Sequence, residues 1–192
     1  DLENLLNEIG DKLNADTLII SIAAGKKTKL IENLIKTANP VIRVIPNTPA
    51  QIGKGVCVIS AGSNATKKDL ELTKQLLDKS GLVVEINESD QDAVTALSGS
   101  GPAYFFAFVE SVINSGVNLG LSKEVATQLA VGTILGSAAM LNESGQDAAT
   151  LRKNVTSPNG TTAAALKVFT DKNLEAIIHE AMLAAKKRSQ EL

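Results

Sequence analysis

The chain has 192 residues, of which 44% are hydrophobic and 21% charged, and its formal net charge is −2. That balance is ordinary for a soluble globular protein and excludes a disordered or collagen-like chain. The basic run Lys186-Lys187-Arg188 is too short for a nucleic-acid footprint and fits the macrodipole of a solvated helix end.

In chain order, Leu2, Leu5, Leu6, Ile9 and Leu13 make an amphipathic start that reads as a helix, and Thr17-Leu18-Ile19-Ile20-Ser21-Ile22 reads as a strand. Leu30, Ile31, Leu34 and Ile35 mark a second helix, ended by Asn39-Pro40. The run Val41-Ile42-Arg43-Val44-Ile45 before Pro46 is a second strand. Residues 55–61 and 82–86 add two more, with a helix near residues 67–79 between them. Short apolar strands separated by single helices predict a mostly parallel sheet, because parallel neighbours need a crossover that a helix supplies. After Asn87 the strand pattern stops, and helices are expected over residues 102–118, 123–142, 148–154, 162–169 and 174–189. Residues 1–88 therefore read as an α/β part and residues 89–192 as an all-helical part.

Residues 125–141 are apolar on nearly every side, with Gly132 and Gly136 at a spacing that lets helices pack closely in membranes. The stretch is shorter than a span and includes Thr127, Gln128, Thr133 and Ser137, so no membrane is expected, and a soluble helix of this kind must be covered on all sides. The single cysteine, Cys57, cannot form an intrachain disulfide and sits in an alternating apolar run, which points to a buried small hydrophobe in a cytoplasmic protein. His179 has no histidine or cysteine at ligand spacing, so no metal site is expected.

Three stretches join elements through small residues: Ile22-Ala23-Ala24-Gly25, Ser98-Gly99-Ser100-Gly101-Pro102 and Ser157-Pro158-Asn159-Gly160-Thr161-Thr162. Such turns expose backbone N–H groups and let a ligand come close, although turns use the same residues for geometry. The third holds the most chemistry. Its tight Asn159-Gly160 turn leads into Ala163-Ala164-Ala165-Leu166, and the first N–H groups of that helix can receive a carboxylate or phosphate. The alternative is that Thr161 or Thr162 only caps the helix.

Taken together, Ser21-Ile22-Ala23-Ala24-Gly25, Pro46-Asn47-Thr48-Pro49, the stretch from Asp92 to Tyr104 and residues 151–166 resemble the pyrroline-5-carboxylate reductases in order and spacing, along essentially the whole chain. The family usually has Ser-Pro-Gly-Gly-Thr-Thr where Asn159 replaces one glycine here, and asparagine is the best non-glycine occupant of a left-handed position. The family opens with a strand and a Gly-rich turn for the cofactor pyrophosphate, but no G-x-G-x-x-G precedes the first helix here. Residues 1–13 match the helix after the family's third strand. The expectation is the larger C-terminal part of such an enzyme, with little activity alone.

The resemblance implies a partial Rossmann-like sheet followed by an all-α dimerisation domain of the 6-phosphogluconate dehydrogenase C-terminal type. It implies NADPH, with NADH as the alternative, and reduction of 1-pyrroline-5-carboxylate to L-proline by a homodimer or higher homo-oligomer. By the same resemblance, Ile22, Ala23, Ala24 and Asn154 meet the cofactor, and Glu88 is a carboxylate near the ligands. Gly160, Thr161 and Thr162 bind the substrate, with the Thr162 hydroxyl reaching the ring nitrogen. The competing enzyme reading is a hydroxyacid dehydrogenase, which carries a lysine where Phe105 stands. The competing non-enzyme reading is a helical oligomerisation module.

Overall fold

In a computed structural model, residues 2–192 are described; Asp1, where the first expected helix would begin, lies outside them. The chain divides into two compact units, Asp1–Pro102 with Ala181–Leu192, and Ala103–Glu180.

The first unit is built on a four-stranded sheet in the order β1 (Ile19–Ser21), β2 (Val41–Ile45), β3 (Gly55–Ala61), β4 (Gly81–Glu85). β1 and β2 are parallel, as are β3 and β4, each pair joined through a helix: α2 (Thr28–Ile35) and α3 (Lys67–Leu77). The β2–β3 pair is antiparallel. Pro46 to Lys54 holds only a 3₁₀ turn, Thr48–Ile52, and so short a link returns the chain beside itself without the crossover a parallel neighbour needs. The sheet is mostly parallel, as expected, with this one reversal.

All five residues of β2 are buried, so both faces of the sheet are covered. Alternation puts Ile42 and Val44 on one face, in a cluster with Cys57, Ile59 and Leu70. Val41 faces the other way, packed with Leu6 of α1 (Leu2–Ile9) and Ile31 and Ile35 of α2. The same alternation assigns Arg43 to the face of Val41. α3 starts with a capping box: Asp69 N–H donates to the Thr66 hydroxyl, and the Asp69 carboxylate accepts from Thr66 N–H at 2.8 Å. Cys57 is 1% exposed, and burial pushes its thiol pKa up.

Beyond β4 come a 3₁₀ turn, Glu88–Asp90, and α4 (Gln91–Val94), neither of which the sequence pattern announces. Ser98 and Gly99, expected in a turn, lie instead in a helical segment, and Ser100 is the bend that leads on to Gly101. A π-helical segment, Thr95–Gly99, is closed by Ser100 N–H donating to Thr95 C=O at 2.8 Å, and it runs on into α5 (Gly101–Asn118). The Ser100 N–H is thereby taken up by the helix backbone.

The second unit holds most of α5 together with α6 (Lys123–Glu143), α7 (Ala148–Asn154), α8 (Thr161–Asp171) and the first part of α9 (Leu174–Gln190). α6 buries Ala126 and Ala130 but leaves Leu129, Val131, Leu135, Met140 and Leu141 at least half or nearly half exposed. Phe105, Phe106 and Phe108 of α5 are likewise exposed.

Candidate functional site

In the first unit, the turn Ile22-Ala23-Ala24-Gly25 leaves the carboxyl end of β1, where open α/β sheets bind their ligands. Ala23 N–H reaches back to Ser21 Oγ at 3.3 Å, and Gly25 takes φ +72°, a conformation that favours glycine. Ile22 is 67% exposed although apolar, and Ala24 beside it is exposed with only a methyl group. An exposed apolar side chain flanked by small ones offers an uncluttered surface for a flat ring, so these residues fit a nicotinamide.

Glu88 lies in the same unit. Its two oxygens take the backbone N–H and the hydroxyl of Thr28, both at 2.7 Å, so the first turn of α2 is capped by a carboxylate sixty residues away in sequence. Its side chain remains 23% exposed and lines an open recess with Ala61, Glu85, Ile86 and Asn87.

Behind it stands a residue to which sequence reasoning gave no role. The Arg43 side chain is 1% exposed, with Nη1 3.6 Å from Glu88 and Nη2 3.9 Å from Asp92. Asp92 also accepts a hydrogen bond from Ser189 Oγ at 2.8 Å. Removing one member of a buried ion pair costs about 3–5 kcal/mol, because the other charge is left unpaired. The signal was available: an arginine centred in a five-residue strand of Val and Ile must find carboxylates. Nearby, Asn47 links two other parts of the unit, donating to Ser98 C=O at 3.1 Å and accepting from Val56 N–H at 2.8 Å.

In the second unit, Asn159 has φ +59°, the left-handed conformation expected of it. Gly160 is the N-cap of α8 and provides no side-chain cap, so Thr161 and Thr162 are the first helical residues and neither occupies the capping position. Ala164 N–H bonds to Gly160 C=O at 3.1 Å, which leaves the N–H groups of residues 161–163 ahead of the helical ladder. Thr161 is exposed and Thr162 half-buried. Asn154 ends α7 and donates to Gln146 Oε1 at 3.1 Å. The start of α7 is held by Asp147, whose carboxyl pKa is lowered by the Thr150 N–H and hydroxyl. The structure thus places Ile22, Ala23, Ala24 and Glu88 in one unit and Asn154, Gly160, Thr161 and Thr162 in the other.

The description of pyrroline-5-carboxylate reductase dimerisation matches residues 88–192. A pyrroline-5-carboxylate reductase of Corynebacterium melassecola is 41% identical over 182 residues, covering 95% of this chain and 67% of that one. That of Pseudomonas aeruginosa is 42% identical over 181 residues, covering 94% and 66%. Among solved structures, Plasmodium falciparum pyrroline carboxylate reductase with NADP bound matches with a TM-score of 0.93 at 34% identity, over 99% of this chain and 76% of that one. The Coxiella burnetii pyrroline-5-carboxylate reductase matches at 0.92 and 37%, over 99% and 71%. The sheet with its strand-end turn and the helical unit beyond it define a Rossmann-like α/β protein with an appended helical domain. Within that class, the chain belongs to the pyrroline-5-carboxylate reductase family.

Proposed function

We propose that the protein reduces 1-pyrroline-5-carboxylate to L-proline with NADPH, as a homodimer in the cytoplasm. The observation that carries this reading is the start of α8, which opens behind a left-handed Asn159 with no side chain capping it, in a chain of this family. The N–H groups of residues 161–163 and the positive end of the helix dipole suit the substrate carboxylate. The hydroxyl of Thr162 is the group proposed to meet the ring nitrogen, where it donates a hydrogen bond or orients a water that delivers the proton. An ordinary hydroxyl is a poor general acid, so its part is orientation.

Ile22, Ala23, Ala24 and Asn154 are proposed to hold the cofactor, and Glu88 to stand as the carboxylate near the ligands. Once bound, the nicotinamide supplies the hydride that the imine carbon receives. The chain's own task is to align two rings, a gain of proximity and orientation that needs no histidine, cysteine or lysine. The division into a dinucleotide-binding part over residues 1–88 and a dimerisation and substrate part over residues 89–192 belongs to the same proposal, supported by the dimerisation match from residue 88. So does the homodimer, supported by the exposed phenylalanines of α5 and the exposed apolar residues of α6.

The full-length protein, given 1-pyrroline-5-carboxylate and NADPH, should consume the cofactor and yield proline in equal amounts. Oxidation of a 2-hydroxy acid with NADP in place of this reaction would favour the dehydrogenase reading, which Phe105 disfavours because a phenyl ring cannot accept a proton.

A further inference from the structure

The loop over residues 22–27 is tied at its start to the backbone of Arg43 and at its end, through Glu88, to the Arg43 side chain. At its start, Ser21 is the backbone partner of Arg43 in the parallel β1–β2 ladder. At its end, Thr28 is held through both its N–H and its hydroxyl by Glu88, which Arg43 draws in at 3.6 Å. A third arm runs from Arg43 to Asp92 and on to Ser189, near the end of α9. Beyond Ser189, Leu192 lies so close to Gly25 that a β-carbon on the glycine would collide with it, and Lys26 Nζ donates to Leu192 C=O at 2.7 Å. Among the described residues, Arg43 Nε and Nη2 have no hydrogen-bond partner, and the carboxylates of Glu88 and Asp92 are the charged groups beside the guanidinium.

We propose that Arg43 is a positioning residue for the cofactor turn: through Glu88 and Thr28 it sets where Ile22, Ala23 and Ala24 stand when NADPH binds. The inference rests on the reading of those three residues as the nicotinamide-facing turn. Only a planar fork serves two carboxylates on different nitrogens, whereas an ammonium is a single point charge on a flexible stem. A lysine in this place keeps the charge and loses one arm.

The test is a fluorescence titration of NADPH, with steady-state kinetics and thermal midpoints, on the full-length protein and its Arg43→Lys, Thr28→Val and doubly substituted forms. Arg43→Lys should raise the NADPH dissociation constant and KM about tenfold, within the range seen when a residue acts on a ligand site through intervening contacts. kcat should fall as well, because the same turn aligns the nicotinamide with the imine. Thr28→Val should shift the NADPH constant the same way. The double form should be no weaker than the worse single one, since both act through Glu88. A lowered midpoint with wild-type NADPH affinity would reduce Arg43 to a purely structural role and overturn the proposal. So would additive losses in the double form. Should Arg43→Lys fail to fold, Thr28→Val alone decides, wild-type affinity being the overturning result. If the unsubstituted protein binds NADPH without reducing the imine, the functional reading fails while the titration still judges Arg43. If it binds no NADPH, both fall.

Discussion

Gly160 stands so close to Ser157 that a β-carbon on it would collide with the serine hydroxyl, and its N–H donates to Ser157 C=O at 3.1 Å. The turn is closed on itself before α8 begins, which takes the capping duty away from both threonines. Thr162→Ala should therefore leave the thermal midpoint unchanged while lowering kcat/KM for imine reduction. The loss of one hydrogen bond, ~1–3 kcal/mol, corresponds to about 5- to 150-fold. NADPH affinity should stay near wild type. Normal turnover in this variant would remove Thr162 from the mechanism.

Asn159 tests the turn itself. At φ +59° a glycine is free of strain, so Asn159→Gly should keep both stability and KM for the imine. A β-branched residue in that conformation costs about 1–2 kcal/mol. Asn159→Val should lower the thermal midpoint by about 2–8 °C, as scaled for a chain of this size, and raise the imine KM. Unaltered melting and kinetics for the valine variant would mean that the left-handed conformation is dispensable.

The capping box of α3 gives a pH dependence with a definite sign. The Thr66 hydroxyl and N–H donate to Asp69 and hold its carboxyl below the usual carboxylate range. A lowered folded pKa contributes stability that is present above the unfolded value, ~3.9, and is lost as pH falls through the folded value. Urea midpoints of wild type and Asp69→Ala should thus differ most near neutrality and converge in acid. A difference that grows on acidification would contradict the assignment.

The apolar residues of α5 and α6 call for a second copy of the chain. Light scattering at micromolar concentration should show a homodimer, with an interface of ~2,000 Å² or more if it is obligate. Leu135, 70% exposed on α6, is the position to probe, and Leu135→Asp should shift the equilibrium toward monomer. A stable wild-type monomer would refute the homodimer.

Much of this was legible in the residues. β3 at Gly55–Ala61 and α7 at Ala148–Asn154 occur where the pattern put them, because glycines flank the strand and the Asp147 cap opens the helix. The reversal at β2–β3 is carried only by the shortness of the link from Pro46 to Lys54, since apolar runs themselves have no direction. The π-helical segment at Thr95–Gly99 was hidden because Ser and Gly suit an open turn as well as a widened helix. Arg43 was passed over because strand patterning weighs the four apolar residues around it, and its carboxylates come from a segment with no periodicity of its own. Asn159 was legible because few residues tolerate that backbone.

The last twelve residues close the first unit long after its sheet has been made. Ser189 meets Asp92 across 97 positions of chain, and every residue of the second unit is synthesised in between. At ~5–20 residues per second, a ribosome would hold the emerging sheet for roughly 5–20 s before that serine exists. During the wait, Asp92 lacks its Ser189 partner and Gly25 stands without Leu192 beside it. The two stretches of the first unit are thus separated in sequence by the second, and α9 begins in one unit and ends in the other.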